Sequence, residues 1–450
     1  MTLNMTEGRP ASLLLRFALP LMLSSLLQQL YTMCDSVIVG RLLGTLAFTA
    51  TGSASYLNWF PTGMLLGAIN GFGVTLSQRF GARKHEEFRH FFGNAMLLGL
   101  SLGLLICVLG STFAEALLSA LNTPPELLGI AARYIRVLWM GFVLTALMNL
   151  FNTALMAMGD SRTPLLALAV SSIVNIVLDV VFIRWFRWDV EGAALATLVS
   201  QAAAAAASYL VLRRTEIGLP RRCHFRPRKY VIKELIRMGL PQLMSNGVIA
   251  SGELVVMSVV NACGVVFVTG LTAARRYFNL TNIVGGALEG SVVTYVGQNY
   301  GAHQFDRIRR GARTAFSMGL TASLITGLAV YLAAEPMIRF FIPDGSTEAV
   351  HIGVQALRVQ ATFLVFLYLL CEHRAAIQGM GNAIIPMCSG FLELAVRIVY
   401  ALTIPAWLGS SSLYFTDAVT WVPTALMLIV SYYLVRAKRC PAANPSSPAP

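Results

Sequence analysis

Long apolar stretches without a single charge alternate with short polar or basic connections along the whole chain. Residues 91–113 and 137–159 each run for 23 residues without Asp, Glu, Lys or Arg, and 192–212 and 254–274 each run for 21. A helix crossing a hydrocarbon core takes roughly 20 residues. Strands of a membrane barrel would show shorter segments alternating apolar and polar, and that alternation is absent. The pattern predicts twelve membrane-spanning helices, at 14–39, 50–77, 91–113, 131–158, 163–183, 191–212, 237–260, 270–297, 314–334, 354–379, 384–406 and 417–435. The first run is too long for a cleaved secretory signal and lacks a small-residue cleavage site, so it is expected to remain as a helix. The fold class that follows is an all-α integral membrane protein.

Composition agrees with lipid as the solvent. Of 450 residues, 56% are hydrophobic and only 12% charged, against about 25% charged in a soluble domain. The net charge of +13 is a matter of placement and not a nucleic-acid signal. Basic residues crowd into 79–90, 213–233, 307–313 and 436–439, all on one side if there are twelve spans. Segment 114–130 has no Lys or Arg, and 335–350 has only Arg339. The positive-inside rule then puts both termini and the 213–233 loop in the cytoplasm of a cell whose plasma or inner membrane holds the chain. Cys34, Cys107, Cys263, Cys371 and Cys388 sit in apolar runs without metal-ligand spacing, so they read as small core residues and no metal site is expected.

The chain also repeats itself. Arg16-Phe-Ala-Leu-Pro20 resembles Arg237-Met-Gly-Leu-Pro241 at an offset of 221, and Gln78-Arg-Phe-Gly-Ala82 resembles Gln298-Asn-Tyr-Gly-Ala302 at 220. Leu155-Met-Ala-Met-Gly-Asp160 falls on Ile377-Gln-Gly-Met-Gly-Asn382 at 222. Matched Gln, Arg, Gly and Pro at one slowly drifting offset are not what any two apolar helices would share. The expected organisation is a cytoplasmic N-terminus 1–13, an N-lobe 14–212, a basic linker 213–236, a C-lobe 237–437 and a disordered tail 438–450. Six helices per lobe is an even number, so both lobes keep the same orientation. Parallel repeats with a site at their interface are a transporter architecture, in which one half rocks against the other.

Several motifs resemble the multidrug and toxic compound extrusion (MATE) family. They are Asp35-Ser-Val-Ile-Val-Gly40, Met158-Gly-Asp-Ser-Arg-Thr-Pro164, Asn175-Ile-Val-Leu-Asp179, Gln298-Asn-Tyr-Gly-Ala302, Gln378-Gly-Met-Gly381 and the Glu393/Arg397 pair. The resemblance covers nearly the whole chain. It implies two six-helix lobes around a central cavity, and export of organic, often cationic, compounds against an inward flow of protons or sodium ions.

Ionisable residues inside spans are costly and are functional candidates by default. Asp35 lies in the first span, and Asn175 and Asp179 share one face of the fifth at i, i+4. All three are oxygen donors, suited to a proton-sharing carboxyl or a hard cation. By resemblance they match the family's amino-terminal cation site. Glu253 and Glu372 match, by the same resemblance, carboxy-terminal acids that bind cations in some members. Glu393 and Arg397, also i, i+4, read as an internal salt bridge that makes two buried charges tolerable. Pro20 and Pro241 fall at matched points of the first and seventh spans, where each can kink its helix. Tyr31, Tyr56, Trp59, Tyr277, Phe278 and Tyr295 are candidates to line a cavity that takes cations by cation–π contact. Packing and interfacial anchoring are the competing roles for each.

The expected function is therefore a secondary exporter of organic cations, working as a monomer in the lipid bilayer. It needs no cofactor and uses a proton or sodium ion as coupling ion. A lipid-linked oligosaccharide flippase would carry cavity-facing Arg or Lys to hold a pyrophosphate, whereas the mid-span charges here are mainly acidic. A membrane enzyme would need a zinc, aspartyl-protease or acyl-transfer motif. The six His form none, and no Gly-Lys-Ser/Thr phosphate loop is present.

Overall fold

The computed structural model describes residues 3–121, 123–342 and 346–441. Most of the expected tail, 442–450, lies outside them. The described chain is helical throughout its ordered elements. The helices are α1 Pro10–Leu43, α2 Thr45–Gly81, α3 His85–Ala120, α4 Pro125–Met140, α5 Phe142–Ala157, α6 Arg162–Val180, α7 Val190–Arg213, α8 Lys229–Ala262, α9 Val265–Gly301, α10 Phe305–Phe341, α11 Thr347–Gly379, α12 Ile384–Leu408 and α13 Thr416–Arg439. A π-helical turn, Val181–Trp185, prolongs α6.

Among the described residues, nine spans are long and apolar enough to cross a bilayer, and α4 with α5 make a tenth that bends by 47°. The bend falls at Gly141. A Cβ there would stand 1.9 Å from the Leu198 side chain of α7, so only glycine lets the two helices meet. The remaining long rods, α2 and α9, each have 37 residues and are rich in Thr, Ser, Asn and Gly, which lowers their apolarity. Counted with them, each of the twelve expected spans coincides with one rod.

The backbone carries the repeat as well as the side chains. Gly44 and Gly264, 220 apart, both precede a helix with φ of 89° and 91°, and Gly159 and Gly381, 222 apart, have φ of 86° and 79°. Arg83 and His303, again 220 apart, adopt the left-handed region at 56° and 57° despite their side chains, a conformation that costs a non-glycine residue roughly 1 kcal/mol.

The chain packs as two compact units. One comprises Leu23–Leu243 and the other comprises Met5–Met22 together with Met244 onward. The first turns of α1 thus belong to the second unit, and the first turns of α8 to the first. Both helices carry their prolines inside, and both change unit three residues after them, at Leu23 and Met244. In the first unit Phe88, Phe92, Trp139, Phe151 and Leu155 are buried at the centre, and in the second Phe267, Val330, Ile338 and Leu357.

Without water to exclude, helix association in lipid depends on close approach at small residues. Gly71 on α2 shows this: an added Cβ would lie 2.5 Å from the Met238 carbonyl oxygen of α8. Gly71→Ala is therefore expected to destabilise the protein by about 1–3 kcal/mol. Gly52 on the same helix faces open space, and Gly52→Ala is expected to leave the melting temperature in detergent unchanged or raise it.

Candidate functional site

The first unit draws α1, α4, α6 and α7 together around a small set of buried oxygens. Asp35 is 25 residues into α1, while Asn175 and Asp179 lie one turn apart near the end of α6 and are both fully buried. The Asp35 and Asp179 carboxyls meet within hydrogen-bonding reach. Tyr31, one turn before Asp35, has its hydroxyl beside Thr197 of α7 and near both acids. The Asn175 amide nitrogen approaches the same Thr197 hydroxyl at 3.5 Å. Tyr134 of α4, 6% exposed, packs close to Tyr31 and the two acids.

What the cluster lacks is donors. Asp35 Oδ1, Asn175 Oδ1 and both carboxylate oxygens of Asp179 are buried without a hydrogen-bond partner. A buried acceptor left unsatisfied costs about 1–3 kcal/mol, and more when charged. Two carboxyls in contact can be satisfied by a proton they share, and four convergent oxygens by a hard cation. A proton or a cation at these oxygens would remove that cost. The structure brings together Asp35, Asn175 and Asp179, the expected amino-terminal cation set, and puts Tyr31, expected as a cavity-lining aromatic, beside them. Sequence reasoning had missed Thr197 and Tyr134, whose ordinary apolar-helix settings carry no signal of their own.

The second unit holds a larger network of charges. Arg374 of α11 bonds the Glu393 carboxylate of α12 and donates to Ser389 Oγ at 3.2 Å. Arg397 reaches Asp417 at the start of α13 at 3.3 Å, and Gln360 donates to the other oxygen of Asp417 at 3.2 Å. Glu393 and Arg397, expected to pair with each other, are each partnered across a helix interface instead. Spacing i, i+4 puts both on one face of α12, but α11 and α13 bring a stronger partner to each.

Glu372 is 1% exposed, and neither of its carboxylate oxygens has a partner. It is pressed against Gly319 of α10, where a Cβ would stand 1.7 Å from Oε1. Glu289 of α9 is its charged neighbour, lying also near Arg374 and the Cys371 thiol. The network therefore sets four acids (Glu289, Glu372, Glu393, Asp417) against two arginines, an excess of two negative charges when all are ionised. His373, next in sequence to Glu372, faces other partners. It stacks on Phe316 at 3.7 Å, and its Nδ1–H donates to the Leu369 carbonyl at 2.7 Å.

The two units do not repeat these sites. At the repeat offsets, Asp35 and Asp179 fall on Val256 and Ala401, both buried in the second unit's apolar core. Glu289 and Glu372 fall on Ile69 and Leu150, both buried in the first. Gly99 and Gly319 are matched too: Leu150 rests on the first and Glu372 on the second. An acid has been placed in a packing position that its counterpart fills with leucine.

Of the other expected residues, Phe278 lines a small cavity that Gln360 of the second network also lines. Glu253 is exposed on α8. Tyr56 and Trp59 are 74% and 62% exposed on α2. Tyr277 donates its hydroxyl to the Met337 carbonyl at 2.8 Å, and Phe278 stacks on Trp421. Tyr295 is fully buried and donates to the Arg307 carbonyl at 3.1 Å. It is a packing residue, not part of a cavity wall, because its ring fills the space left by Gly311. Among the described residues no three His, Cys, Asp or Glu side chains are grouped as a metal site.

Two helical units rich in membrane spans, with acids buried inside them, define a multi-pass membrane protein. The MatE family model matches the chain twice, over residues 20–181 and 241–403, and the chain belongs to that family. Its members are transporters and not enzymes. A probable multidrug resistance protein, YpnP of Bacillus subtilis, is 27% identical over 416 residues, covering 91% of this chain and 92% of that protein. The probable multidrug resistance protein NorM of Thermotoga maritima is 25% identical, covering 85% and 82%. A MOP superfamily transporter from Pyrococcus furiosus shares the fold with a TM-score of 0.90 at 22% identity, covering 98% of each chain.

Proposed function

We propose that the protein exports organic cations in exchange for protons or sodium ions, by alternating access, with Asp35, Asn175 and Asp179 as the coupling site. The observation that carries this reading is the cluster of buried oxygens without donors. Such a set is stable only when a proton or cation occupies it, so its occupancy can be coupled to the side from which it is reached. A carboxylate emptied of its cation in lipid surroundings is costly, which favours replacement by a cationic substrate or a change of conformation. Tyr31 and Thr197 fix the position of the Asp35 face, and Tyr134 keeps lipid and water off it.

Glu372, whose two oxygens are buried without a partner, marks a second candidate ion site in the other unit, with Glu289 as its acidic neighbour. Relatives named as multidrug resistance proteins support small organic substrates over lipid-linked sugars, and so does the acidic character of the buried charge. The basic connections support an orientation in the cell membrane with both termini in the cytoplasm, and one chain carries both clusters, which supports a working monomer.

Inverted membrane vesicles test the reading. Uptake of ethidium is followed under an imposed pH gradient or an imposed sodium gradient. One gradient is expected to drive uptake and thereby to name the ion, with Asp35→Asn inactive. Failure of both gradients to move any of a panel of organic cations overturns the proposal.

A further inference from the structure

The connection between α7 and α8 is not a loose loop. His224, 2% exposed, is held from both sides: the Arg221 N–H donates to its Nδ1 at 2.8 Å, and its Nε2 meets Glu86 of α3 at 3.0 Å. Asn94 donates to the His224 carbonyl at 3.2 Å, and Arg89 donates to the Ile217 carbonyl at 2.6 Å. Gly93 lets the strand lie directly on α3, since a Cβ there would be 2.6 Å from the His224 carbonyl oxygen. The segment is thus a fixed platform at the end of the first unit.

That platform displays Arg213, Arg214, Arg221, Arg222, Arg226 and Arg228, all exposed. None of the six pairs with a carboxylate among the described residues, although neighbouring cations at the same end do: Arg79 bonds Glu234 and Glu87, and Lys84 bonds Glu87. The unpaired cations begin where outward-facing apolar residues stop. Leu210 and Val211, 54% and 37% exposed, end that run on α7, and Tyr230, 51% exposed, opens it on α8. A phenol ring between apolar surface and arginines is the setting of a membrane interface. Unpaired guanidinium groups carried by a fixed backbone beside the apolar boundary match phosphate in charge and in bidentate geometry.

We infer that this platform is a binding site for anionic phospholipid headgroups of the adjoining leaflet, which the orientation proposed above makes the cytoplasmic one. The inference does not depend on what is transported, and its test reads binding alone. Protein in nanodiscs of mixed phosphatidylcholine and phosphatidylglycerol is released into a mass spectrometer, and retained lipids are counted. Wild type is expected to retain phosphatidylglycerol over phosphatidylcholine by at least about tenfold, the scale of a few interfacial arginines. Arg222→Gln/Arg226→Gln is expected to lose most of that preference. Arg310→Gln/Arg313→Gln, which removes the same charge from another exposed basic segment, is expected to keep it. Raising salt on the wild type should release the anionic lipid whatever the variants do. Equal retention of the two lipids by wild type, or equal loss in both variants, overturns the inference.

Discussion

Asp179→Asn is expected to stop gradient-driven uptake in vesicles, lowering the rate at least about a hundredfold, as loss of one member of a functional unit does. The reason is the contact between its carboxyl and that of Asp35. If the two share one proton or jointly ligate one cation, neither works without the other. Asp35→Asn should then be equally inactive, and the double variant no worse than either single one. Independent acids would instead give losses that multiply. Tyr31→Phe removes only a hydroxyl contact to Thr197, a net effect of about 0.5–1.5 kcal/mol, so its rate should fall by no more than roughly tenfold. An Asp179→Asn variant that pumps normally, correctly inserted, would remove the first cluster from the mechanism and leave Glu289 and Glu372 to carry the coupling.

The second large effect concerns stability. Arg374→Met leaves Glu393 buried without its guanidinium and deprives Glu289 of its nearest positive charge. Removing one partner of a buried pair costs about 3–5 kcal/mol, and here the surrounding network is already acidic. A lowered melting temperature in detergent is the expected readout. Glu393→Gln added to Arg374→Met should recover part of the loss, because the orphaned charge is gone. If the double variant is no more stable than Arg374→Met alone, the pair does not act as a unit and the stabilising contact lies elsewhere in the network.

The lipid contact of the basic platform bears on both experiments. Vesicles and detergent differ in anionic lipid, so the platform's occupancy should be held constant when variants are compared.

The sequence by itself determined the rods and their doubling. A helix in lipid needs about 20 mostly apolar residues, so the spans show as long apolar runs in which the few charges stand out. The duplicated turns show as matched Gly, Gln and Pro. It also determined which residues share a face: Asn175 with Asp179, and Glu393 with Arg397, because helical spacing is a property of one chain segment. Glu289 was legible by the same rule, as an acid inside a predicted span, but the reading passed over it.

What only the tertiary structure decided is which helix each face meets. Spacing gave Glu393 and Arg397 to one another, while packing gave one to Arg374 and the other to Asp417. Spacing could not separate Tyr295, filling a gap at Gly311, from an aromatic residue facing a cavity. It could not show that Glu372 lies on the glycine ledge where the other half keeps Leu150. Those choices rest on close contacts between residues far apart in sequence, and in lipid, where apolar residues suit any neighbour, few side chains announce their partners in advance.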